Sequence, residues 1–283
     1  MNPELRRVNL ELTGKCNYNC TICSYKKRRN NTMKLSDVKD LLDFLQMECE
    51  EEGLYLPEIR FFVAGEPSLY EYLAEAIDLA WDFPVLIHTN GSYWDYNLSQ
   101  KVCNIDHPNL RVSFSLDGGD AESYFQIRGR HSWPLVSTYV RYFCDLIKLV
   151  NLETTKVNIQ CIADSGLRNT IETKLRLDFP NAHSFDVRAP HNWNVANSVE
   201  GAEKKNYGPL CDFMFHDLIM YSDMQVGLCC ACLNAEKTFG DIRTDFDYNI
   251  LKAFNDPKRK AMQLAMKNKK SIDVCDKCER YNK

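Results

Sequence analysis

Three cysteines lie close together near the start of this 283-residue chain. Cys16, Cys20 and Cys23 have the spacing C-x3-C-x2-C and follow a short apolar segment. Three thiolates are too few for a closed zinc site, which takes four ligands. They suit three corners of a [4Fe–4S] cluster, which normally takes four cysteines, so that one iron stays open to a small molecule. The alternative is three unrelated core cysteines, because cysteine is among the most buried residue types.

The sequence around these cysteines, LTGKCNYNCTICS, resembles the cluster motif of the radical S-adenosylmethionine enzymes. In that family the open iron binds the amino and carboxylate groups of S-adenosylmethionine. An electron from the cluster then cleaves the sulfonium C–S bond, and the resulting 5′-deoxyadenosyl radical abstracts hydrogen. The resemblance implies that the cofactors carry the chemistry while the protein supplies orientation and excludes water. Ile22 occupies a position where the family usually has an aromatic residue near adenine.

Three later segments resemble the S-adenosylmethionine-binding elements of the same family. The segment AGEP at 64–67 resembles a G-G-E-P element, with alanine in place of the first glycine, and HTNGS at 88–92 resembles a T-N-G element. The segments SLDG at 115–118 and YFQIRG at 124–129 resemble an S-x-D-G and I-R-G pair, whose arginine fork suits a carboxylate. The resemblance assigns S-adenosylmethionine to Ile22, Gly65, Glu66, Thr89, Asn90, Ser115, Arg128 and Ile162.

A second cysteine set lies in the last third of the chain. Cys211, Cys229, Cys275 and Cys278 have the spacing C-x17-C-x45-C-x2-C. This array resembles the auxiliary-cluster domains called SPASM and its shortened form, twitch, in particular the aminocyclitol dehydrogenase-type members, and it implies one fully ligated [4Fe–4S] cluster. Four cysteines equally suit a structural zinc site. Cys230 and Cys232 are either neighbours of a ligand or hydrogen-atom donors to a substrate radical.

Strand-like and helix-like segments alternate up to about residue 190. We predict strands at 8–12, 58–63, 84–88, 110–115, 156–163 and 185–188, and helices at 70–81, 135–150 and 167–179. A further helix begins with Ser36 as N-cap and buries Val38, Leu41, Leu42, Leu45 and Met47. Such alternation predicts parallel βαβ units and fits a partial (β/α)6 barrel, in which active sites lie at the carboxyl ends of the strands.

The pattern changes after about residue 200. A hairpin of 216–221 with 225–230, followed by a helix at 249–267, predicts a small α+β unit of the twitch or SPASM type. We therefore expect an α/β chain with a radical S-adenosylmethionine partial barrel over 1–200 and an auxiliary-cluster domain over 201–283.

Composition excludes several other classes of protein. The net charge is −4, which gives no nucleic-acid footprint, and no run of 18 apolar residues or signal peptide occurs. A chain with 13 cysteines and no export signal predicts a reducing, cytoplasmic location. Cys49, Cys103, Cys144 and Cys161 fit buried positions.

Several fates of the substrate radical agree with these motifs. An auxiliary cluster that accepts an electron, with a base that takes a proton, gives two-electron oxidation of a small aminocyclitol- or sugar-like molecule. A thiol that returns hydrogen gives epimerisation, and a peptide substrate gives a maturase. We favour a small substrate, because little chain precedes Cys16 to form a peptide-recognition domain. The catalytic candidates are Arg188, Asp117, Cys230 and Cys232, and other polar candidates at strand ends are Tyr124, Asp186, His191 and Asn194.

The same resemblance predicts the partners. We expect a flavodoxin- or ferredoxin-type reductant, a monomer, and no nucleic-acid or membrane partner. A non-enzymatic Fe–S electron carrier is disfavoured, because an electron carrier needs no S-adenosylmethionine motifs.

Overall fold

A computed structural model describes residues 4–25, 29–190, 210–276 and 278. Its centre is a nine-stranded sheet in the order β6-β5-β4-β3-β2-β1-β7-β8-β9. The strands are β1 (Arg7–Leu10), β2 (Glu58–Arg60), β3 (Val85–Thr89), β4 (Leu110–Ser115), β5 (Thr155–Ile162), β6 (Ser184–Arg188), β7 (Asp217–Met220), β8 (Gln225–Gly227) and β9 (Thr238–Asp241). Strands β1 to β6 and β7 are all paired in parallel, which confirms the predicted α/β class.

Helices connect the parallel strands and also follow the last strands. The helices are α1 (Leu35–Glu51), α2 (Leu73–Leu79), α3 (Tyr96–Ile105), α4 (Ala121–Arg128), α5 (Trp133–Leu149), α6 (Arg168–Asp178), α7 (Asp212–His216), α8 (Ile250–Phe254), α9 (Pro257–Lys267) and α10 (Asp273–Asp276), with short 3-10 helices at Pro67–Leu69 and Ser165–Leu167. None of the helices in the described ranges is long and apolar enough to cross a membrane.

Successive residues of each strand point alternately to the hydrophobic core and to the opposite, polar face of the sheet. Val8 and Leu10 of β1 are completely buried in the core with side chains of the connecting helices. Asn9, between them, points to the other face, because successive strand side chains alternate. Ser113 and Asn158, one on each of two paired strands, hydrogen-bond on that face at 2.9 Å. Polar side chains therefore cover the face on which the strand ends meet the cysteine loop.

All six predicted parallel strands are present, with shifted ends. Strand β2 ends at Arg60 rather than at residue 63, whereas β4 has the predicted bounds. Helix α1 begins at Leu35 after Lys34, so Ser36 is not its N-cap. Met47 is 44% exposed, which contradicts its predicted burial, and Glu48 and Cys49 continue the buried face instead. Helices α3 and α4 were not predicted.

The predicted C-terminal hairpin is confirmed, and it joins the main sheet. Strands β7 and β8 pair in antiparallel fashion, while β7 also pairs in parallel with β1, so the sheet continues without a break. The predicted single helix at 249–267 is two helices, because Asp256 caps a new helix that begins at Pro257. One hydrophobic core contains side chains from both sides of residue 200, and the division into two domains stays a prediction.

Candidate cofactor and substrate site

The loop with the first three cysteines follows β1 and packs on α4 and α5. Its side chains form one compact cluster around the fully buried Tyr124 ring. The members of this cluster are Cys16, Tyr18, Cys20, Ile22, Cys23, Tyr124 and Trp133. The three cysteines therefore lie in one side-chain cluster in the loop after β1, although within the described ranges no three thiols are arranged around a single metal ion.

Helix α4 and the residues after it hold this loop by hydrogen bonds. The backbone N–H of Thr21 donates to the carbonyl of Ile127 at 2.9 Å. The Tyr124 hydroxyl lies 3.2 Å from the Tyr18 hydroxyl, and Arg130 donates to the carbonyl of Asn17 at 3.1 Å. The I-R-G segment thus fixes the cysteine loop in addition to any contact with a cofactor.

Glu66 connects the segments after β2 and β3. Its carboxylate accepts hydrogen bonds from the Ser68 N–H at 2.9 Å, the Ser68 hydroxyl at 2.7 Å, the Thr89 hydroxyl at 2.5 Å and the Asn90 N–H at 2.7 Å. Burial raises the pKa of Glu66, and these donors oppose that rise. Three of these donors bind Oε1 and one binds Oε2, so the carboxylate braces two strand ends against each other and keeps acceptor capacity at Oε2.

The T-N-G segment contacts the cysteine loop directly. The Asn90 side-chain N–H donates to the side-chain amide oxygen of Asn17 at 3.1 Å. The side-chain N–H of Asn17 donates in turn to the Ser92 hydroxyl at 2.8 Å. Asn17 lies next to Cys16, so the end of β3 and the first cysteine are joined by a short polar network.

Gly65 lies where the loop after β2 passes against the cysteine loop. A Cβ at this position would lie 1.8 Å from the carbonyl oxygen of Thr13, far inside van der Waals contact. The adjacent Glu66 N–H donates to the carbonyl of Lys15 at 2.8 Å. The glycine is therefore required for close backbone approach, here of one protein loop to another.

Arg128 reaches the second cysteine of the loop. Its Nη1 donates to Cys20 Sγ at 3.5 Å, and its Nη2 lies 2.6 Å from a carboxylate oxygen of Asp117 and 3.4 Å from the carbonyl oxygen of Ser115. Burial alone would lower the pKa of Arg128, but the charges of Asp117 and Cys20 raise it, so the guanidinium stays charged. Asp117 also accepts the Ile162 N–H at 2.7 Å and is completely buried.

Comparisons with known proteins point in the same direction as this geometry. No protein-family model matches the sequence. An S-adenosylmethionine-dependent nucleotide dehydratase from Fibrobacter sp. (strain UWH6) is 30% identical over 132 residues, which cover 45% of this chain and 38% of that protein. A GTP 3',8-cyclase from Chlorobaculum tepidum is 27% identical over 186 residues, which cover 64% of this chain and 52% of that protein. The matches thus span about half or less of these relatives.

A solved structure shares the fold over almost its whole length. The crystal structure of BtrN in complex with AdoMet and 2-DOIA superposes with a TM-score of 0.63 and 15% identity, covering 98% of this chain and 94% of that one. These sequence matches and the shared fold support the resemblance to the radical S-adenosylmethionine enzymes that the motifs predict. Within this family the cysteine loop and the motifs around it are the expected place for the cluster and for S-adenosylmethionine.

The C-terminal cysteines line a separate small cavity of the chain. Apolar side chains such as Phe213, Met214 and Leu228 complete the wall. The cysteines that line it are Cys211, Cys229, Cys232, Cys275 and Cys278. Cys232 thus joins the four predicted ligands, and its Sγ lies 3.8 Å from that of Cys229. A hydrogen bond from Cys232 lowers the pKa of the Cys229 thiol, which favours the thiolate needed for metal binding.

The cysteines of this cavity suit either a [4Fe–4S] cluster or a structural zinc ion. In the part of the chain that the structure describes, no three or more Cys, His, Asp or Glu side chains are arranged to hold one metal ion. A structural zinc ion binds four thiolates at Zn–S distances of about 2.3 Å, whereas each thiolate of a [4Fe–4S] cluster binds a different iron.

Cys230 points elsewhere, although it stands beside Cys229. It is buried against Ile219 and Tyr221, with Val63 packed nearby. Ile219 pairs with Asn9, and both therefore belong to the polar face of the sheet rather than to the core under the helices. Of the two cysteines outside the four predicted ligands, Cys230 lies on the polar face of the sheet, whereas Cys232 lines the cysteine cavity.

Arg188 and His88 lie on the polar face of the sheet. Arg188 ends β6; its Nε is buried, 3.6 Å from a carboxylate oxygen of Asp186, and makes no hydrogen bond to any described residue. Burial and the charges of Arg60 and Arg188 lower the pKa of His88 to about 3, so this imidazole is neutral at physiological pH. The predicted candidates His191 and Asn194 lie outside the described residues.

Several site residues were not found from the sequence. Asn17 and Thr21 lie inside the cysteine motif, at positions that its spacing leaves unspecified. His88 lies next to Thr89 of the T-N-G element, and its place on the polar face follows only from the strand register. Cys232 was predicted as a neighbour of a ligand or a hydrogen-atom donor, and its place in the wall of the cysteine cavity is the new observation.

Proposed function

We propose that this protein cleaves S-adenosylmethionine reductively at a [4Fe–4S] cluster held by Cys16, Cys20 and Cys23, and that the radical so formed abstracts hydrogen from a substrate carbon. The observation that supports this most strongly is the convergence of four separate motifs on one loop. Elements after β2, β3 and β4 all hydrogen-bond to residues between Thr13 and Cys23 or pack against them.

Different residues of this site would position S-adenosylmethionine in different ways. Arg128 keeps one buried N–H, at Nε, without a hydrogen-bond partner in the described ranges, and this N–H can serve the carboxylate of the ligand. The Glu66 carboxylate holds Thr89 and Asn90 in place, and its Oε2, which among the described residues accepts only the Asn90 N–H, would accept from the methionyl amino group. Gly65, Ser115, Ile22 and Ile162 complete the binding surface.

The C-terminal cavity would hold a second [4Fe–4S] cluster, as in a twitch-type domain. Cys211, Cys229, Cys275 and Cys278 remain the proposed ligands, and Cys232 is the competing thiol. A cluster is favoured over zinc because the first cysteine set is itself proposed to hold iron and sulfide. When bound, the first cluster supplies the electron that cleaves S-adenosylmethionine, and the second takes up the electron that an oxidised substrate releases.

Two-electron oxidation of a small polar substrate is the outcome that we favour. Loss of an electron from a hydroxyalkyl radical must be matched by loss of its hydroxyl proton to a base. Arg188 at the end of β6 would orient a hydroxyl or an anionic group of the substrate, and the Asp186 carboxylate beside it is a candidate proton acceptor. Asp117 is paired with Arg128 and Ile162, so we assign it a positioning role.

Epimerisation is the second candidate, because Cys230 is buried against Ile219 on the polar face of the sheet. A thiol in that position can return hydrogen to a substrate radical. Cys232 is less suited to this role, since it lines the cysteine cavity. A peptide substrate, a flavodoxin- or ferredoxin-type reductant, a monomeric state and a cytoplasmic location remain predictions.

An anaerobic reaction in deuterium oxide separates the two outcomes. The reconstituted protein is incubated with S-adenosylmethionine, dithionite and a metabolite extract, and consumed compounds are found by mass spectrometry. Oxidation predicts a product two mass units lighter than its substrate, formed also by Cys230→Ala. Solvent deuterium on a product carbon, abolished by Cys230→Ala but not by Cys103→Ala, would contradict oxidation and support epimerisation.

A further inference from the structure

Arg259 on α9 is a completely buried cation beside the C-terminal cysteine cavity. Its Nη1 donates to the carbonyl of Leu228 at 2.9 Å, and its Nη2 donates to the carbonyls of Met214 at 2.8 Å and Asp217 at 2.5 Å. Leu228 directly precedes Cys229, and the Met214 N–H donates to the carbonyl of Cys211 at 3.0 Å. Arg259 is therefore anchored to the two segments that carry the first two cysteines of the set.

None of these contacts neutralises the charge of Arg259. All three acceptors are main-chain carbonyls, and within the described ranges no carboxylate forms an ion pair with this guanidinium. Asp217, which acts on it electrostatically, already pairs with Arg7. The Nε is buried without a hydrogen-bond partner in the same ranges. Such a charge is costly in the interior unless an opposite charge is near.

The cysteine cavity provides the opposite charge. Cys229 and Cys211 are the thiols that act electrostatically on Arg259. A [4Fe–4S] cluster with four thiolate ligands is an anion, and reduction by one electron makes it more negative. A fixed cation nearby stabilises the reduced form more than the oxidised form, and net charge is one of the determinants of cluster potential.

We propose that Arg259 is the counter-charge of the C-terminal cluster and raises its reduction potential, which makes this cluster the electron acceptor of the two. This inference rests on the proposed function, since it requires a cluster at these cysteines. The arginine at the first cysteine set differs, because its charge is balanced by a carboxylate. Arg128 contacts Cys20, but its Nη2 lies 2.6 Å from a carboxylate oxygen of Asp117. Arg259 is a positioning residue, because it acts through the cluster and not on the substrate.

Redox titration of the reconstituted full chain, followed by electron paramagnetic resonance, tests this proposal. The variants are Arg259→Gln, which removes the charge, and Arg259→Lys, which keeps it. We expect the midpoint potential of the C-terminal cluster to become more negative in Arg259→Gln and to stay near the wild-type value in Arg259→Lys. The potential of the N-terminal cluster should not change in either variant.

Gln263→Met is the matched control. Gln263 lies one turn further along α9, is 3% exposed and donates to the same Met214 carbonyl at 3.0 Å, but carries no charge. An equal shift in Gln263→Met and Arg259→Gln would overturn the proposal, because a lost hydrogen bond would then explain both. If Arg259→Gln does not fold, Arg259→Lys provides the test. A midpoint potential of the C-terminal cluster near the wild-type value in Arg259→Lys supports the proposal, and a lowered midpoint potential contradicts it.

Metal analysis separates this inference from the proposed function. Zinc in place of iron at the C-terminal cysteines would contradict the auxiliary cluster itself. Two clusters with an unchanged potential in Arg259→Gln would contradict only the role of Arg259.

Discussion

Asn234 donates a hydrogen bond from its side-chain N–H to the carbonyl of Ser24 at 3.1 Å, and this bond joins the two cysteine loops. Ser24 directly follows Cys23, and Asn234 lies two residues after Cys232. A second link runs through Arg29, which donates to the carbonyl of Leu233 at 3.0 Å. The loop that would hold the first cluster is therefore supported by the loop that lines the second cavity.

Arg29 is itself held by a buried ion pair. Its Nε and Nη2 donate to the two carboxylate oxygens of Glu11 at 2.9 and 2.7 Å, and Glu11 also accepts from the Ser222 hydroxyl at 2.8 Å. Removal of one partner of a buried pair costs several kcal/mol, so Arg29 is a poor position for a mild perturbation. Asn234 is the better one.

Asn234→Ala should loosen the first cluster without unfolding the chain. One neutral hydrogen bond contributes about 0.5–1.5 kcal/mol, roughly a 2- to 10-fold change in an equilibrium. We expect iron to be extracted from the N-terminal set by a chelator faster by about that factor. Asn255→Ala, which removes a hydrogen bond within α8, is the control and should leave the rate unchanged. Equal rates in all three proteins would show that the bond from Asn234 to Ser24 does not support the first cysteine loop.

Gly65→Ala should displace the cysteine loop, because the added Cβ would lie 1.8 Å from the carbonyl oxygen of Thr13. We expect loss of about four iron per chain, that is, of the N-terminal cluster, while the C-terminal cluster is retained. Gly166→Ala is the control, since its Cβ would meet only the Asp164 carboxylate oxygen at 3.2 Å. Full iron content in Gly65→Ala would mean that this close approach is not needed.

Arg128→Ala should weaken S-adenosylmethionine binding by about 1.5–3 kcal/mol, the range for hydrogen bonds to charged groups. The guanidinium that Arg128→Ala removes contacts Cys20 and pairs with Asp117. Asp117→Asn keeps this guanidinium and removes only its counter-charge, so it should weaken S-adenosylmethionine binding less than Arg128→Ala does. Arg176→Ala, which removes an exposed arginine that pairs with Glu172 on α6, is the control. Equilibrium dialysis with labelled S-adenosylmethionine measures all three. Wild-type affinity in Arg128→Ala would remove this residue from the binding site.

The neutral state of His88 makes stability depend on pH. Its pKa is lowered to about 3 from an ordinary value of 6.5 by burial and by Arg60 and Arg188. Below pH 6.5 the unfolded chain therefore binds more protons than the folded one, and the free energy of unfolding falls as pH falls. The unfolded imidazole is half protonated at pH 6.5, so between pH 6.5 and pH 5 the loss from this residue is about 1.6 kcal/mol. In urea titrations His88→Gln should lose less stability over this range than the wild type. The same loss in both proteins would contradict this account.

Local patterns predicted the parallel strands and the position of each motif, but not how the motifs contact one another. The motif after each strand could be placed because parallel strands end at the same edge of the sheet. The four donors on Glu66 and the contact of Arg128 with Cys20 depend on side-chain directions that single segments do not specify. The error at Met47 was avoidable, since a face through Leu45 continues at positions 48 and 49.

The pairing of β7 with β1 could not be derived from the sequence either. Both segments were recognised as strands, but their separation of about 200 residues leaves the partner open. The register Asn9↔Ile219 is set by which edge of the sheet is free and by the burial of Leu218 and Met220 in the common core. The same long-range pairing brings Cys230 to the polar face.

Formation of 5′-deoxyadenosine by the anaerobically reconstituted protein tests the central claim most directly. With dithionite and S-adenosylmethionine, the wild type should form it and should hold about eight iron in two [4Fe–4S] clusters. The Cys16/Cys20/Cys23→Ala variant should keep about four iron, in the C-terminal cluster, and form no 5′-deoxyadenosine. Cys49→Ala, at a buried core cysteine, should behave as the wild type. Undiminished cleavage of S-adenosylmethionine by the triple variant, or none by the fully loaded wild type, would contradict the account.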